Sequence, residues 1–330
     1  VTYTASATLD SEPRFGRSTT LVVLGAASLS LSATFVKLAD VTSGTAAFLR
    51  CALALVVLVP LAVWEVRRRG AMPIPLYPLA IVAGVFLGAD YVMWTKSILD
   101  VGASIATVLI NVQVVVLPLL ALVVDKTAVP RRFVVTAPAM VLGVALAGAV
   151  IGPAGDTGGG SAVRGSILGI AAGVAYAGYL FLNRRSGQRS PKHTITPICV
   201  ATASAAVTAG VISAPLGDLD LTITAGAWAW MIALALLGQV AAWLFVSVGS
   251  RDLPTNTIAG LLLLQPVLAI VFGFLVLHER PTWLQLLGAA VVVGAVWTAN
   301  RHSAHPRRGL RRGVRSVWAG KQHPGWRPCD

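Results

Sequence analysis

The sequence predicts an all-α integral membrane protein of ten transmembrane helices, arranged as two inverted five-helix repeats. Three observations lead there: a composition too apolar for water, ten apolar runs of spanning length, and matches between the two halves of the chain. Of 330 residues, 56% are hydrophobic and 12% charged, and the mean hydropathy is +0.77. A soluble domain carries about 25% charged residues, so this chain lacks the polar surface to stand in water. An ordinary soluble enzyme, a disordered chain and a disulfide-built secreted domain are excluded on that ground. The three cysteines, Cys51, Cys199 and Cys329, have neither a pairing pattern nor metal-ligand spacing, and packing is their expected role.

A spanning helix needs roughly 20 mostly apolar residues. Runs of that kind fall at about 21–39, 45–64, 77–95, 103–124, 133–151, 166–183, 195–214, 226–249, 255–277 and 282–299. The seventh, rich in Ala, Thr and Ser, and the first are the least apolar. Residues before span 1 include Asp10, Glu12, Arg14 and Arg17, and span 2 follows span 1 directly. A cleaved leader has a different order of basic, apolar and small residues, so span 1 is expected to be retained.

Orientation follows from the basic residues. With the N-terminus inside, 21 of the 26 Lys and Arg fall in inner segments and four in outer connectors, leaving Arg50 within a span. Basic residues concentrate on the cytoplasmic side of membrane proteins, so both chain ends are expected in the cytoplasm. The net charge of +13 therefore marks orientation; a nucleic-acid partner would need a basic stripe on a folded surface. The Arg-rich segment after Arg301, with Trp318 and Trp326, is expected to be a basic tail attracted to anionic inner-leaflet lipid.

The Gly-rich stretch Gly152 to Gly160 divides the chain into two sets of five spans. No Gly-Lys-Ser/Thr follows its glycines, so it reads as a linker and not a phosphate loop. Across it, Leu24-Gly25 and Phe35 match Leu168-Gly169 and Tyr179, and Asp90 and Trp94 match Gln239 and Trp243. Gln113 matches Gln265, Asp125 matches Glu279, and Gly143 matches Gly294. Five is odd, so the second half must cross the membrane in the opposite sense to the first. Inverted repeats are common in secondary transporters, with the substrate site near the midplane between halves.

The stretch Phe35-Val-Lys37 through Ala46-Ala-Phe-Leu-Arg50 and the closing segment carry a resemblance. In the latter, Gln265-Pro266 leads to Gly273, His278-Glu279-Arg280-Pro281, then Gly288 and Gly294. Over roughly residues 20–300 the chain resembles the drug/metabolite transporter (DMT) superfamily, in its EamA-like branch. That resemblance implies two inverted five-helix repeats in the inner membrane, moving small metabolites. The implied organisation is a cytoplasmic segment 1–20, repeats at 21–151 and 166–300, an outer linker 152–165 and a cytoplasmic tail 301–330. The family often has Glu before the Pro of the ninth span, where this chain has Gln265. A neutral amide exchanges no proton, so the family's coupling through that position does not carry over. The first half also has Val114 where the second has Pro266, with Pro118 one turn on.

Ionisable groups inside spans usually face a cavity or a partner. Arg50 and Asp90 are the clear cases, each expected some 8–10 Å below the outer surface from a rise of about 1.5 Å per residue. Two readings stay open for them: a buried ion pair that fixes packing, or a substrate or proton site with Asp90 as the titrating group. Asp90 and Trp94 share a helix face at i, i+4, with Tyr91 beside Trp94. Gln239 and Trp243 repeat that spacing, so the two faces are expected to wall one cavity. A Trp face can hold a cationic or apolar group. Gln113 and Gln265 offer amide donors and acceptors to a polar metabolite; Asn111 points about 200° away from Gln113. The expected substrate-binding set is Arg50, Asp90, Tyr91, Trp94, Gln113, Tyr179, Gln239, Trp243 and Gln265. Asp125 and Glu279 are expected to cap or hinge, and Gly84-xxx-Gly88 and Gly169-xxx-Gly173 to let helices approach closely.

These residues point to a secondary transporter of an amino acid or other small metabolite, working outward by alternating access, with a proton or an exchanged solute as possible co-substrate. No cofactor or metal is expected, and no nucleotide motif is present to couple hydrolysis. A sugar-phosphate or other anionic metabolite is the second reading, weakened because Lys37 and Lys96 are expected at the outer rim, leaving Arg50 as the secure cation. A channel or membrane scaffold ranks lower. A membrane enzyme ranks lowest, because all five His lie outside the spans and neither HExxH nor GxSxG occurs.

Overall fold

A computed structural model describes residues 12–126, 131–147, 161–249, 253, 258, 261–262 and 264–300. The whole Gly-rich stretch Gly152 to Gly160, the basic tail and Cys329 lie outside the described residues. Among them the chain forms ten helical segments. They are α1 (Glu12–Ala39), α2 (Ser43–Arg69), α3 (Leu76–Val101), α4 (Ala103–Asp125) and α5 (Arg131–Ala147). After the linker come α6 (Ala162–Arg189), α7 (Ile195–Ser213), α8 (Ala225–Gly249), α9 (Leu264–Leu277) and α10 (Trp283–Asn300). Seven of them, α1 to α4 and α6 to α8, are long and apolar enough to cross a membrane. The apolar stretches in α5, α9 and α10 are shorter, at Val135–Leu146, Leu264–Leu277 and Trp283–Ala295.

Several helices outrun the apolar runs that predicted them. α1 already begins at Glu12, and α3 continues past Trp94 to Val101. Asp90 therefore lies about 16 Å from the Val101 end of α3 at ~1.5 Å per residue, deeper than the apolar run alone implied. Outward faces carry large exposed apolar side chains, among them Val56, Val135, Ile167, Val211 and Phe274. Such a surface would drive association in water and suits hydrocarbon.

Long-range packing sets the layout. α3 lies against both α6 and α7, and α2 runs along α7. α1 packs on α8 and α9, α5 on α10, and α4 touches α6 and α9. Small residues make the α3 contacts possible. A Cβ on Gly84 would stand 2.3 Å from the Ala201 carbonyl oxygen, and one on Gly88 2.6 Å from that of Ala205. Between α6 and α4, a Cβ on Gly173 would stand 2.6 Å from the Ile110 carbonyl oxygen. Both Gly-xxx-Gly pairs thus lie at close helix approaches, Gly84, Gly88 and Gly173 against backbone and Gly169 against the side chains of Ser97 and Leu109.

Carboxylates from distant segments close three helix N-termini. Glu65, near the end of α2, accepts the amides of Thr194, Ile195 and Thr196 at 2.9, 3.0 and 2.8 Å, and the Thr196 hydroxyl at 2.8 Å. Asp218, just past α7, returns the contact by accepting the Gly44 amide at 2.8 Å and the Ser43 hydroxyl at the start of α2. Glu279, before α10, accepts the Ala103 and Ser104 amides at 2.6 and 3.0 Å and the Ser104 hydroxyl at 2.6 Å. A free helix start leaves four N–H groups without partners, which is costly where water is absent. Glu279 is a cap, as its position before the last span implied. Asp125 instead pairs with Arg185 at 3.4 Å.

Two stability outcomes follow from this packing. Gly84→Ala should lower stability by roughly 1–3 kcal/mol through overpacking, whereas Gly294→Ala, with nothing within 4 Å, should not. Glu65→Ala should cost roughly 2 kcal/mol by uncapping α7. Thermal unfolding of the purified protein in detergent reads all three; equal midpoints for the two glycine variants would contradict the close α3–α7 approach.

Candidate functional site

Near the middle of the bundle, seven helices leave a void of about 30 Å³. That is room for about one or two waters. It lies where two buried apolar clusters meet, one containing Trp94 and the other Tyr91 and Trp243. α2 contributes Arg50 to its wall and α3 contributes Asp90, Tyr91 and Trp94. From beyond the linker come Trp243 of α8 and Gln265 of α9. Six of the nine residues expected from the sequence are therefore brought to one cavity by helices from both halves.

The guanidinium of Arg50 lies over the Tyr91 ring, 3.8 Å from its centroid, and 5.6 Å from that of Trp94. Both rings are at cation–π distance, yet Arg50 Nε and Nη1 have no hydrogen-bond partner. Asp90 Oδ1 is likewise buried without one, as is Trp94 Nε1. Arg50 and Asp90 are 2% and 1% exposed. Among the described residues the ion pairs within 4.0 Å are Arg69–Glu65, Arg164–Asp100 and Arg185–Asp125. Arg50 and Asp90 thus share a cavity wall without forming the ion pair that one sequence reading allowed.

The other three expected residues lie differently. Gln239 is 1% exposed and stands behind the wall, not on it. Its Oε1 accepts the Tyr91 hydroxyl at 2.5 Å, and its Nε2 donates to Thr202 Oγ1 at 3.4 Å. It sits in a π-helical stretch of α8, Leu234–Ala241, a winding that is rare and often marks functional sites. Tyr179 also backs the wall, packing edge-on to Trp243 with ring centroids 5.4 Å apart. Gln113 does not line the void, although its Oε1 is buried without a partner. It follows a 3₁₀ turn, Ile110–Val112, that breaks α4 and brings Ile110 to the wall instead. Asn111 turns its amide back onto the Thr107 carbonyl at 2.7 Å.

Two polar wall residues escaped the sequence reading, Ser32 of α1 and Tyr176 of α6, beside the apolar Leu29 and Ile110. The offset of 144 that relates Phe35 to Tyr179 also relates Ser32 to Tyr176. Applying that offset along the helix by one more turn would have found both. Ser30, on the same helix as Ser32, donates to the Gln265 carbonyl at 2.9 Å and ties α1 to α9 beside the cavity.

The sequence model of the EamA-like transporter family matches twice, over residues 17–149 and 163–301. The chain belongs to the EamA-like transporter family. It is thus a multi-pass membrane protein of a transporter family, and the two matched regions correspond to α1–α5 and α6–α10. Among curated proteins, the threonine/homoserine exporter RhtA of Salmonella typhimurium (strain LT2) is 27% identical over 140 residues, covering 40% of this chain and 44% of the relative. RhtA of Escherichia coli K12 is 27% identical over 138 residues, with the same 40% and 44% coverage. The matched region therefore spans less than half the length of these curated relatives. One solved crystal structure superposes with a TM-score of 0.57 at 16% identity, covering 87% of this chain and 97% of the other, a likeness of fold alone.

Tyr91→Phe should keep the ring beneath Arg50 but strand the Gln239 Oε1 acceptor. The expected cost is about 1–3 kcal/mol, read by thermal unfolding. A midpoint unchanged from the wild type would mean that the Tyr91–Gln239 bond does not support the wall.

Proposed function

We propose that this EamA-like protein is a secondary transporter of amino acids or similarly small polar metabolites, acting as an exporter by alternating access. The observation that carries the reading is the central void. Helices of both family-matched regions wall it, and it presents buried polar atoms without partners. Unpaired charges in a low-dielectric interior are costly, and a site that binds and releases a polar solute is a reason to retain them. The names of the RhtA relatives support an amino acid among the substrates and outward flux.

The helix layout supports two inverted five-helix repeats. Exchanging each helix with the one five places on turns the α1–α8 contact into α6–α3, and α1–α9 into α6–α4, while α2–α7, α4–α9 and α5–α10 map onto themselves. Rocking of one half against the other about a fixed site is the motion such an arrangement favours. The reading includes the inner membrane as location with both chain ends cytoplasmic, on the distribution of basic residues. Arg50, Asp90, Tyr91, Trp94, Trp243 and Gln265 form the site, with Gln239 and Tyr179 supporting it and Gln113 at its margin. A phosphorylated substrate is less well served, because the wall offers Arg50 as its cation and sets Asp90 in the same cavity.

Purified protein in proteoliposomes should release a loaded panel of radiolabelled amino acids selectively, and Trp94→Ala or Trp243→Ala should slow release at least tenfold. Retained transport in both Trp variants would remove the cavity as the substrate site. If Asp90 couples flux to protons, Asp90→Asn should flatten the pH dependence of release between neutral and acidic lumen. An unchanged profile would exclude that role.

A further inference from the structure

We propose that the central cavity selects a zwitterion that carries an ammonium and a carboxylate on one small molecule, its carboxylate received by Arg50 and its ammonium by Asp90. The inference rests on the reading of the cavity as the substrate site and adds to it which charges the substrate must have and where each goes.

Among the described residues, Arg50 and Asp90 are the charged residues of the cavity wall, one of each sign. Both side chains are almost wholly buried, and each turns polar atoms without hydrogen-bond partners to the interior. Left to themselves, buried opposite charges gain most by touching. These two do not pair within 4.0 Å, because Arg50 is held over the rings of Tyr91 and Trp94 instead. Tyr91 is in turn fixed from behind by Gln239. The rings satisfy the guanidinium charge without accepting its hydrogens, and its Nε and Nη1 are left without hydrogen-bond partners. A carboxylate is the group whose oxygens match such donors, and an ammonium is the donor that suits an unpaired carboxylate oxygen. A site of one positive and one negative charge accepts a neutral zwitterion without gaining net charge.

The other half of the molecule supplies a comparison. Thr202 stands as far beyond the start of α7 as Arg50 stands beyond the start of α2. Gln239 is the counterpart of Asp90 in the sequence matching of the halves. Thr202 and Gln239 are neutral, bond to each other at 3.4 Å, and close their side of the wall. The same two places in the first half carry opposite charges, stand apart and face the void. One half has a satisfied polar pair, while the other has a pair left for a ligand.

The test uses full-length purified protein and matched ligands: L-alanine, L-threonine and L-phenylalanine, each with its N-acetyl derivative and its primary amide. Binding is read by ligand-induced thermal shift and by competition for release from proteoliposomes. At least one parent amino acid should bind at least tenfold more tightly than both its derivatives, since each derivative removes one charge. Asp90→Asn should abolish the preference for the parent over the N-acetyl form, and Arg50→Gln the preference over the amide. The wild-type comparison stands even if either variant fails to fold. Equal binding of parent and derivatives, or binding of derivatives alone, overturns the proposal; so does no binding of any parent up to its solubility limit. If derivatives bind as well as parents but Trp94→Ala still abolishes binding, the cavity remains the substrate site and only the zwitterion is lost. If binding survives Trp94→Ala and Trp243→Ala alike, the cavity reading itself falls.

Discussion

A helix start leaves amide N–H groups without partners in the helix, and where packing keeps water from them something else in the chain must accept them. Here carboxylates from other segments do so. Glu65 on α2 closes the start of α7, and Asp218 beyond α7 closes the start of α2. The two helices are thereby fastened to each other at both ends. Glu279 does the same for α4 from the connector before α10. Each cap adds a negative charge at the positive end of a helix dipole, so electrostatics and hydrogen bonding act in the same direction.

That fastening matters because α2 carries Arg50 and α7 carries Thr202, residues equally far from the starts of their helices. Between them, the glycines of α3 and α6 let helix backbones touch, and α3 carries Asp90, Tyr91 and Trp94 into the middle. The wall is thus built from rigid helices rather than loops. The segments that depart from regular α-helix, the 3₁₀ turn at Ile110–Val112 and the π-helical stretch at Leu234–Ala241, both contribute directly to it or support it. Irregular backbone at membrane depth is tolerated where it is buried in protein or lines a cavity.

The polar groups of the interior divide by what satisfies them. Glu65, Glu279 and Gln239 have protein hydrogen-bond partners and hold elements together. Arg50 and Asp90 keep partnerless atoms beside a void. Polar side chains of the interior therefore serve opposite ends, and the difference lies in whether a neighbouring helix has reached them.

Much was legible in the sequence because a bilayer imposes a local rule. Every spanning run must be apolar over some 20 residues, so composition and hydropathy by themselves gave the class, the helices and the rarity of Arg50 and Asp90. The double match of Leu-Gly, Trp and Gln positions likewise pointed to two related halves. What the sequence could not settle is side-chain reach across helices. Whether Arg50 would meet Asp90 depended on where the rings of Tyr91 and Trp94 stand relative to it. Gln239 looked like a cavity residue by spacing, but its amide is occupied by Tyr91 and Thr202, which lie in distant parts of the chain. Ser32 and Tyr176 carry no charge to mark them, and only packing brings them to the wall. Hydropathy is a property of neighbours along the chain, whereas hydrogen-bond satisfaction and cavity lining are properties of neighbours in space. The sequence by itself determined a membrane bundle with two scarce buried charges; the tertiary structure decided that those charges line one void without pairing.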